Sequence, residues 1–225
     1  MRQLIIGIGG VTNGGKSTLA MSLHARIPNS CVIAQDTFFK DNSLVPVDSR
    51  GFTQYDVIDS LKMDEMMCEV RAWQKDPAAF QDSCRLRSQC PKMSEAAADM
   101  YTLIIEGFLI YNYRPLNELI DMKYFLHIPY EICKERRCLR TYNPPDPCGY
   151  FDGHVWPMYL KNRNEIEDTV SDLVYLDGTQ SREKIFANVY KRIKMEMDKM
   201  PGKTYLCVLV LHLNCKKQSK MHVHV

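Results

Sequence analysis

An open α/β fold, with a five-stranded parallel sheet flanked by helices and a small helical lid, is the architecture this sequence predicts. Three observations lead to it. Short apolar runs of strand length recur at residues 4–8, 31–34, 101–105, 123–128 and 173–176, with amphipathic stretches between them. The first run leads through a glycine-rich loop directly into a helical pattern. Two other runs end in a carboxylate, Asp36 and Glu106.

The loop is Gly10-Val11-Thr12-Asn13-Gly14-Gly15-Lys16-Ser17. A glycine, four residues and then Gly-Lys-Ser is the Walker A spacing, whose chemistry needs a backbone that wraps a polyphosphate with its N–H groups turned inward. Lys16 would reach the outer phosphates as a point charge, and the Ser17 hydroxyl would hold Mg²⁺. Residues 4–8 before the loop suit a buried strand. After it, Leu19, Ala20 and Leu23 lie at helical spacing until Pro28 ends the pattern. A strand, a glycine loop and a helix N-terminus in that order aim the free N–H groups and the helix dipole at the phosphate.

The second strand ends at Gln35-Asp36. In open parallel sheets ligands sit beyond the carboxyl ends of the strands, so Asp36 projects toward the edge that carries the loop. Residues 40–51 read as a polar loop that closes on Phe52-Thr53-Gln54-Tyr55-Asp56. There Asp56 either serves a ligand or caps the next helix. Ile58, Leu61, Met66 and Val70 predict that helix over residues 57–73, and residues 76–98, with Pro77 and Pro91, read as a surface excursion. The strand ending at Glu106 resembles a Walker B strand, where a carboxylate holds a Mg²⁺-bound water.

After the fourth strand, residues 130–141 form a helix carrying Arg136, Arg137 and Arg140. Such a run is usually a solvated face; on a lid it would neutralise charge spread over a transferring group. The prolines at 144, 145 and 147 turn the chain, and residues 151–163 read as a second lid helix packed through His154, Trp156 and Tyr159. The last strand leads to Asp177-Gly178-Thr179 at the same sheet edge, then to a closing helix over 181–200 stopped by Pro201-Gly202.

The 225 residues suit one α/β domain over 1–202, its lid at about 130–165, followed by a tail, 203–225, of different character. A net charge of +2 with dispersed basic residues gives no reason to expect nucleic acid or membrane as a partner. Nine cysteines without a Cys-x-x-Cys pair read as reduced thiols of a cytoplasmic protein. No leader pattern opens the chain. The apolar run at 205–213 is about half of the ~20 residues a membrane helix needs.

Five blocks carry a family resemblance: residues 7–17, Gln35-Asp36-Thr37-Phe38-Phe39-Lys40, Gln54-Tyr55-Asp56-Val57, Ile105-Glu106-Gly107-Phe108 and the stretch from Tyr150 to Tyr159. Together they resemble the nicotinamide riboside kinases, relatives of uridine kinases among the P-loop kinases, over residues 1–200. The resemblance implies transfer of a phosphoryl group from ATP or GTP, with Mg²⁺, to a riboside. Gly10, Val11, Thr12, Asn13, Gly14, Gly15, Lys16, Ser17 and Thr18 would hold the nucleotide phosphates. Arg136, Arg140, Thr141 and Tyr142 would meet the nucleotide from the lid, and Gln180, Ser181 and Arg182 would lie near its base. Asp36 would be the general base, with Lys16 and Glu106 completing the catalytic group and Ser17, Asp36 and Glu106 the metal environment.

For the nucleoside, the resemblance implies Asp36, Thr37, Phe38, Phe39, Tyr55, Asp56, Arg137, Tyr142 and Asn143. Thr37 departs from the second acid that the family more often places there. The small-molecule partners implied are a nucleoside and a nucleoside triphosphate, on a monomer or weak oligomer. Two other readings stay open: a kinase for uridine or another nucleoside, and a nucleotide-dependent switch that keeps the loop without turnover.

Overall fold

The computed structural model describes residues 1–88, 100–142 and 145–200, with the backbone alone for 83–88. The tail at 203–225 and Asn143 lie outside the described residues. Five strands form one sheet: β1 (Arg2–Gly10), β2 (Ser30–Ala34), β3 (Met100–Glu106), β4 (Met122–His127) and β5 (Leu173–Asp177). Their order is β2-β3-β1-β4-β5 and every pairing is parallel. The expected five-stranded parallel sheet is therefore present.

Side chains alternate across this sheet, as a period of two requires. Ile5, Ile33, Leu103, Ile105 and Phe125 face one side, where α2 (Met63–Lys75) covers them with Met66, Val70 and Trp73, and α6 (Trp156–Thr169) with Ile166. Leu4, Ile6, Ile8, Ile104 and Leu126 face the other, under α1 (Lys16–Arg26) and α7 (Arg182–Lys199). Burial on both faces explains why these strands read as continuous apolar runs. A third cluster joins Val11 and Ile128 to Cys133 on α5 (Tyr130–Cys138) and to Tyr150, Phe151 and Val155, and so seats the lid on the strand ends.

Two helix expectations need correction. Residues 57–62 are not the start of α2: Lys40 N–H donates to the Ser60 carbonyl and Lys62 N–H to the Phe38 carbonyl, an extended pairing that delays the helix to Met63. Asp56 is accordingly not its cap. The stretch read as a surface excursion begins instead with α3 (Pro77–Ser88). There the Asp76 side chain accepts from Ala79 N–H at 3.0 Å, and Pro77 occupies the first helical position, where its missing N–H costs nothing. A short α4 (Arg114–Asn117) precedes β4.

Candidate active site

Register places the site. Across β2, β3 and β1, Ala34, Glu106 and Ile8 stand abreast, so the three chain exits converge at the crevice where the strand order reverses. From β1 the chain passes Gly10 at φ +131°, where an added Cβ would sit 2.1 Å from the Leu126 carbonyl oxygen. It reaches α1 through Gly15 at φ +99°. Val11 N–H donates to that same Leu126 carbonyl at 3.1 Å, which pins the loop to β4. Gly14 and Gly15 leave the α1 N-terminus open toward an anion.

The resulting cleft, of about 1030 Å³, is lined by residues 12–18 of the loop together with Asp36, Phe39, Tyr55, Asp56, Glu106, Arg136, Arg137, Arg140, Tyr142, Gln180 and Arg182. Glu106 is 5% exposed and accepts the Ser17 hydroxyl hydrogen bond at 2.7 Å. Burial pushes its carboxyl pKa up; the Ser17 bond and the Lys16 charge pull it down, and Asp36 pushes it up again. The Lys16 ammonium donates to the Val11 carbonyl at 2.9 Å. Its pKa is lowered by burial, against the opposing pull of Glu106 and Asp36. Asp36 itself is exposed, on the turn Gln35–Phe38 that follows β2.

On the lid side, Arg136 donates to the carbonyls of Asn13, at 3.2 Å, and Gly178, at 3.3 Å. Arg137 reaches Thr12 Oγ1 at 3.3 Å and is gripped by Asp146 through two hydrogen bonds of 2.6 and 3.0 Å. The Tyr142 ring carries Arg137 at 4.4 Å and Arg140 at 5.3 Å, and its hydroxyl meets the Asn13 amide at 3.2 Å. Opposite, Tyr55 stands edge-on to Phe39 and donates to Asn42 at 2.8 Å. Phe39 in turn stacks on Phe108.

The remaining expected residues do not line the cleft. Phe38 is buried in the core, and the Thr37 hydroxyl turns back onto the Ala34 carbonyl at 2.8 Å. Val11 is buried and Gly10 is built into the strand end. Ser181 caps α7 by accepting from Lys184 N–H, and Thr141 is absent from the cleft lining. Asn42 and Asp146 were missed. The signal for Asp146 was an acid nine residues after Arg137 in a proline-rich turn that cannot stay helical.

Ser17, Asp36 and Glu106 offer a hydroxyl and two carboxylates, hard oxygen donors of the kind that bind Mg²⁺ in company with substrate phosphates. Among the described residues no group of three or more His, Cys, Asp or Glu gathers as a metal cage. No helix of the described residues is long and apolar enough to cross a membrane.

The AAA domain family model matches residues 6–157. Nicotinamide riboside kinase 1 of Rattus norvegicus is 51% identical over 202 residues, which is 90% of this chain and 100% of the relative. Its Homo sapiens counterpart is 49% identical over 199 residues, 88% of this chain and 96% of the relative. A uridine kinase of Leuconostoc citreum is more distant, 28% identical over 145 residues, 62% of this chain and 69% of the relative. Among solved structures, an unliganded sugar kinase from Janibacter superposes with a TM-score of 0.51 at 16% identity, covering 85% of this chain and 95% of that one, a likeness of fold. Identity at this level along nearly the whole length shows that the chain belongs to the nicotinamide riboside kinase family, within the P-loop kinases.

Proposed function

We propose that this protein transfers the γ-phosphoryl group of ATP to the ribose 5′-hydroxyl of nicotinamide riboside, giving the mononucleotide used in NAD synthesis. The observation that carries the reading is one cleft that joins a phosphate loop, the carboxylates of Asp36 and Glu106 and the aromatic rings of Phe39, Tyr55 and Tyr142. Asp36, exposed at the mouth, accepts the 5′-hydroxyl proton as the oxygen attacks phosphorus. Lys16, Arg136 and Arg140 hold the phosphates and offset the charge that spreads over the transferring group. Ser17, Asp36 and Glu106 would hold Mg²⁺, which supplies charge neutralisation between the outer phosphates. Gln180 and Arg182 lie on the nucleotide-base side.

Tyr55 provides a ring face for a cationic pyridinium, and Tyr142 a second one once Arg137 and Arg140, which now lie over its ring, turn to the substrates; such an attraction is worth about 0.5–2 kcal/mol. Asp56 accepts hydrogen bonds from the ribose hydroxyls, and Arg137 donates from the other side once Asp146 shares it. Support for the riboside comes from the family and from this chemistry together. Nicotinic acid riboside, with the same ribose, is a second acceptor, and GTP a second donor. The kinase domain spans residues 1–202 with its lid at about 130–165, in a cytoplasmic monomer or weak oligomer. The test is to incubate the protein with ATP, Mg²⁺ and nicotinamide riboside and identify the products by mass. Equimolar ADP and 5′-mononucleotide are expected; ADP without mononucleotide would overturn the proposal.

A further inference from the structure

The block from Tyr150 to Val155 has no part in the chemistry above, yet it is the segment against which residues 52–56 are seated. We propose that His154 is a positioning residue, holding the Asp56 carboxylate in the orientation that receives the ribose hydroxyls. This inference rests on the riboside reading of Asp56. The His154 side chain is 2% exposed, and its Nε2 lies 3.4 Å from Asp56 Oδ2. Among the described residues that nitrogen has no hydrogen-bond partner. A buried ring nitrogen left unpaired is costly, and the Asp56 carboxylate is the acceptor beside it.

The surrounding contacts fix both members. The His154 ring stacks on Tyr150 at 5.1 Å, and the Tyr150 hydroxyl donates to the Thr53 carbonyl at 2.6 Å. Phe52 meets Tyr150 edge-on at 5.5 Å. Asn162, from α6, donates to the Asp56 carbonyl at 3.0 Å, so the carboxylate-bearing residue is tied by its backbone as well. Gly153 permits this seating: a Cβ there would lie 2.7 Å from the Phe52 ring. Residues 151–155 form a π turn, a departure from the α-helical ladder of the kind found at functional sites.

Two variants separate positioning from packing. His154→Phe keeps the ring and the stack on Tyr150 but removes the nitrogen; His154→Gln breaks the stack but returns an N–H near the Nε2 position. Positioning predicts that His154→Phe raises the riboside KM about tenfold or more while kcat and the ATP KM stay within about twofold. His154→Gln restores most of the riboside KM. The opposite order, with Phe like wild type and Gln impaired, would overturn the proposal. In an Asp56→Ala background His154→Phe should add nothing to the KM, and an independent, additive loss would also overturn it.

A readout without substrate keeps the two proposals apart. In ¹⁵N-labelled protein, the His154 ring-nitrogen signals should change in Asp56→Asn, and unchanged signals would refute the contact. A protein that shows this coupling yet phosphorylates no riboside would remove the proposed function alone.

Discussion

Glu106→Gln separates the charge of the cleft from its shape. The substitution keeps the volume and an oxygen that can accept from Ser17, now at 2.7 Å from the carboxylate, in a position 5% exposed. It removes the negative charge that Lys16 faces and that would hold the metal. Loss of a carboxylate that orients a metal's ligands or its bound water costs about 10- to 100-fold in metal affinity or activity. That corresponds to about 1.4–2.8 kcal/mol of transition-state stabilisation.

The pH dependence has a definite sign. Burial has lowered the Lys16 pKa, and Glu106 is the chief group opposing that shift. Without Glu106 the Lys16 pKa of the free protein falls further, so the alkaline limb of kcat/KM for ATP moves to lower pH. Glu106 itself has a raised pKa, because burial favours its neutral form. Its contribution to stability is therefore present below the ordinary carboxyl range and is lost as pH rises through the raised value. Wherever Glu106 is ionised its buried charge is a burden on the fold, so Glu106→Gln should stay within about 1 kcal/mol of wild-type stability. The assay is initial ADP release during a Mg²⁺ titration at saturating ATP and riboside, with kcat/KM for ATP then measured across pH. An unchanged kcat with an unchanged half-saturating Mg²⁺ concentration would refute the role given to Glu106.

Asp36→Ala should lower kcat by about 10²- to 10⁴-fold with ATP binding retained, measured by steady-state kinetics beside nucleotide titration; near-normal turnover would remove Asp36 from the mechanism. Arg137→Met takes away the fork that Asp146 now holds, and the riboside KM should rise about tenfold or more, read from the same kinetics. Gly10→Ala forces a side chain onto a backbone at φ +131° and 2.1 Å from Leu126 O. It should cost about 3 kcal/mol or more and lower Tm by roughly 6–12 °C in thermal unfolding.

Much of this molecule can be read from local chemistry. The loop at 10–17, the buried strands and the acids at their ends are consecutive residues whose types state their task, and the register of β2, β3 and β1 only had to bring them abreast. Where the outcome depended on partners distant in sequence, the pattern was silent. Phe38 and Phe39 are adjacent aromatics, yet the turn after β2 buries the first in the core and aims the second at the cleft. The pairing of residues 38–40 with 60–62 overrode the helical periodicity that begins at Val57. Asp146 and Arg137 meet through a turn that periodicity does not describe. The start of α3 was a different case, because Asp76-Pro77 is a legible cap and first-turn pair that the prolines and charges around it obscured.

The most direct test of the account sets nicotinamide riboside against uridine with the wild-type protein, measuring kcat/KM for each by ADP release under identical ATP and Mg²⁺. Tyr55, Tyr142, Asp56 and Arg137 predict a clear preference for the cationic nicotinamide riboside. Equal or better use of uridine would contradict the assignment of the acceptor, and turnover of neither with ATP binding intact would contradict the assignment as a kinase.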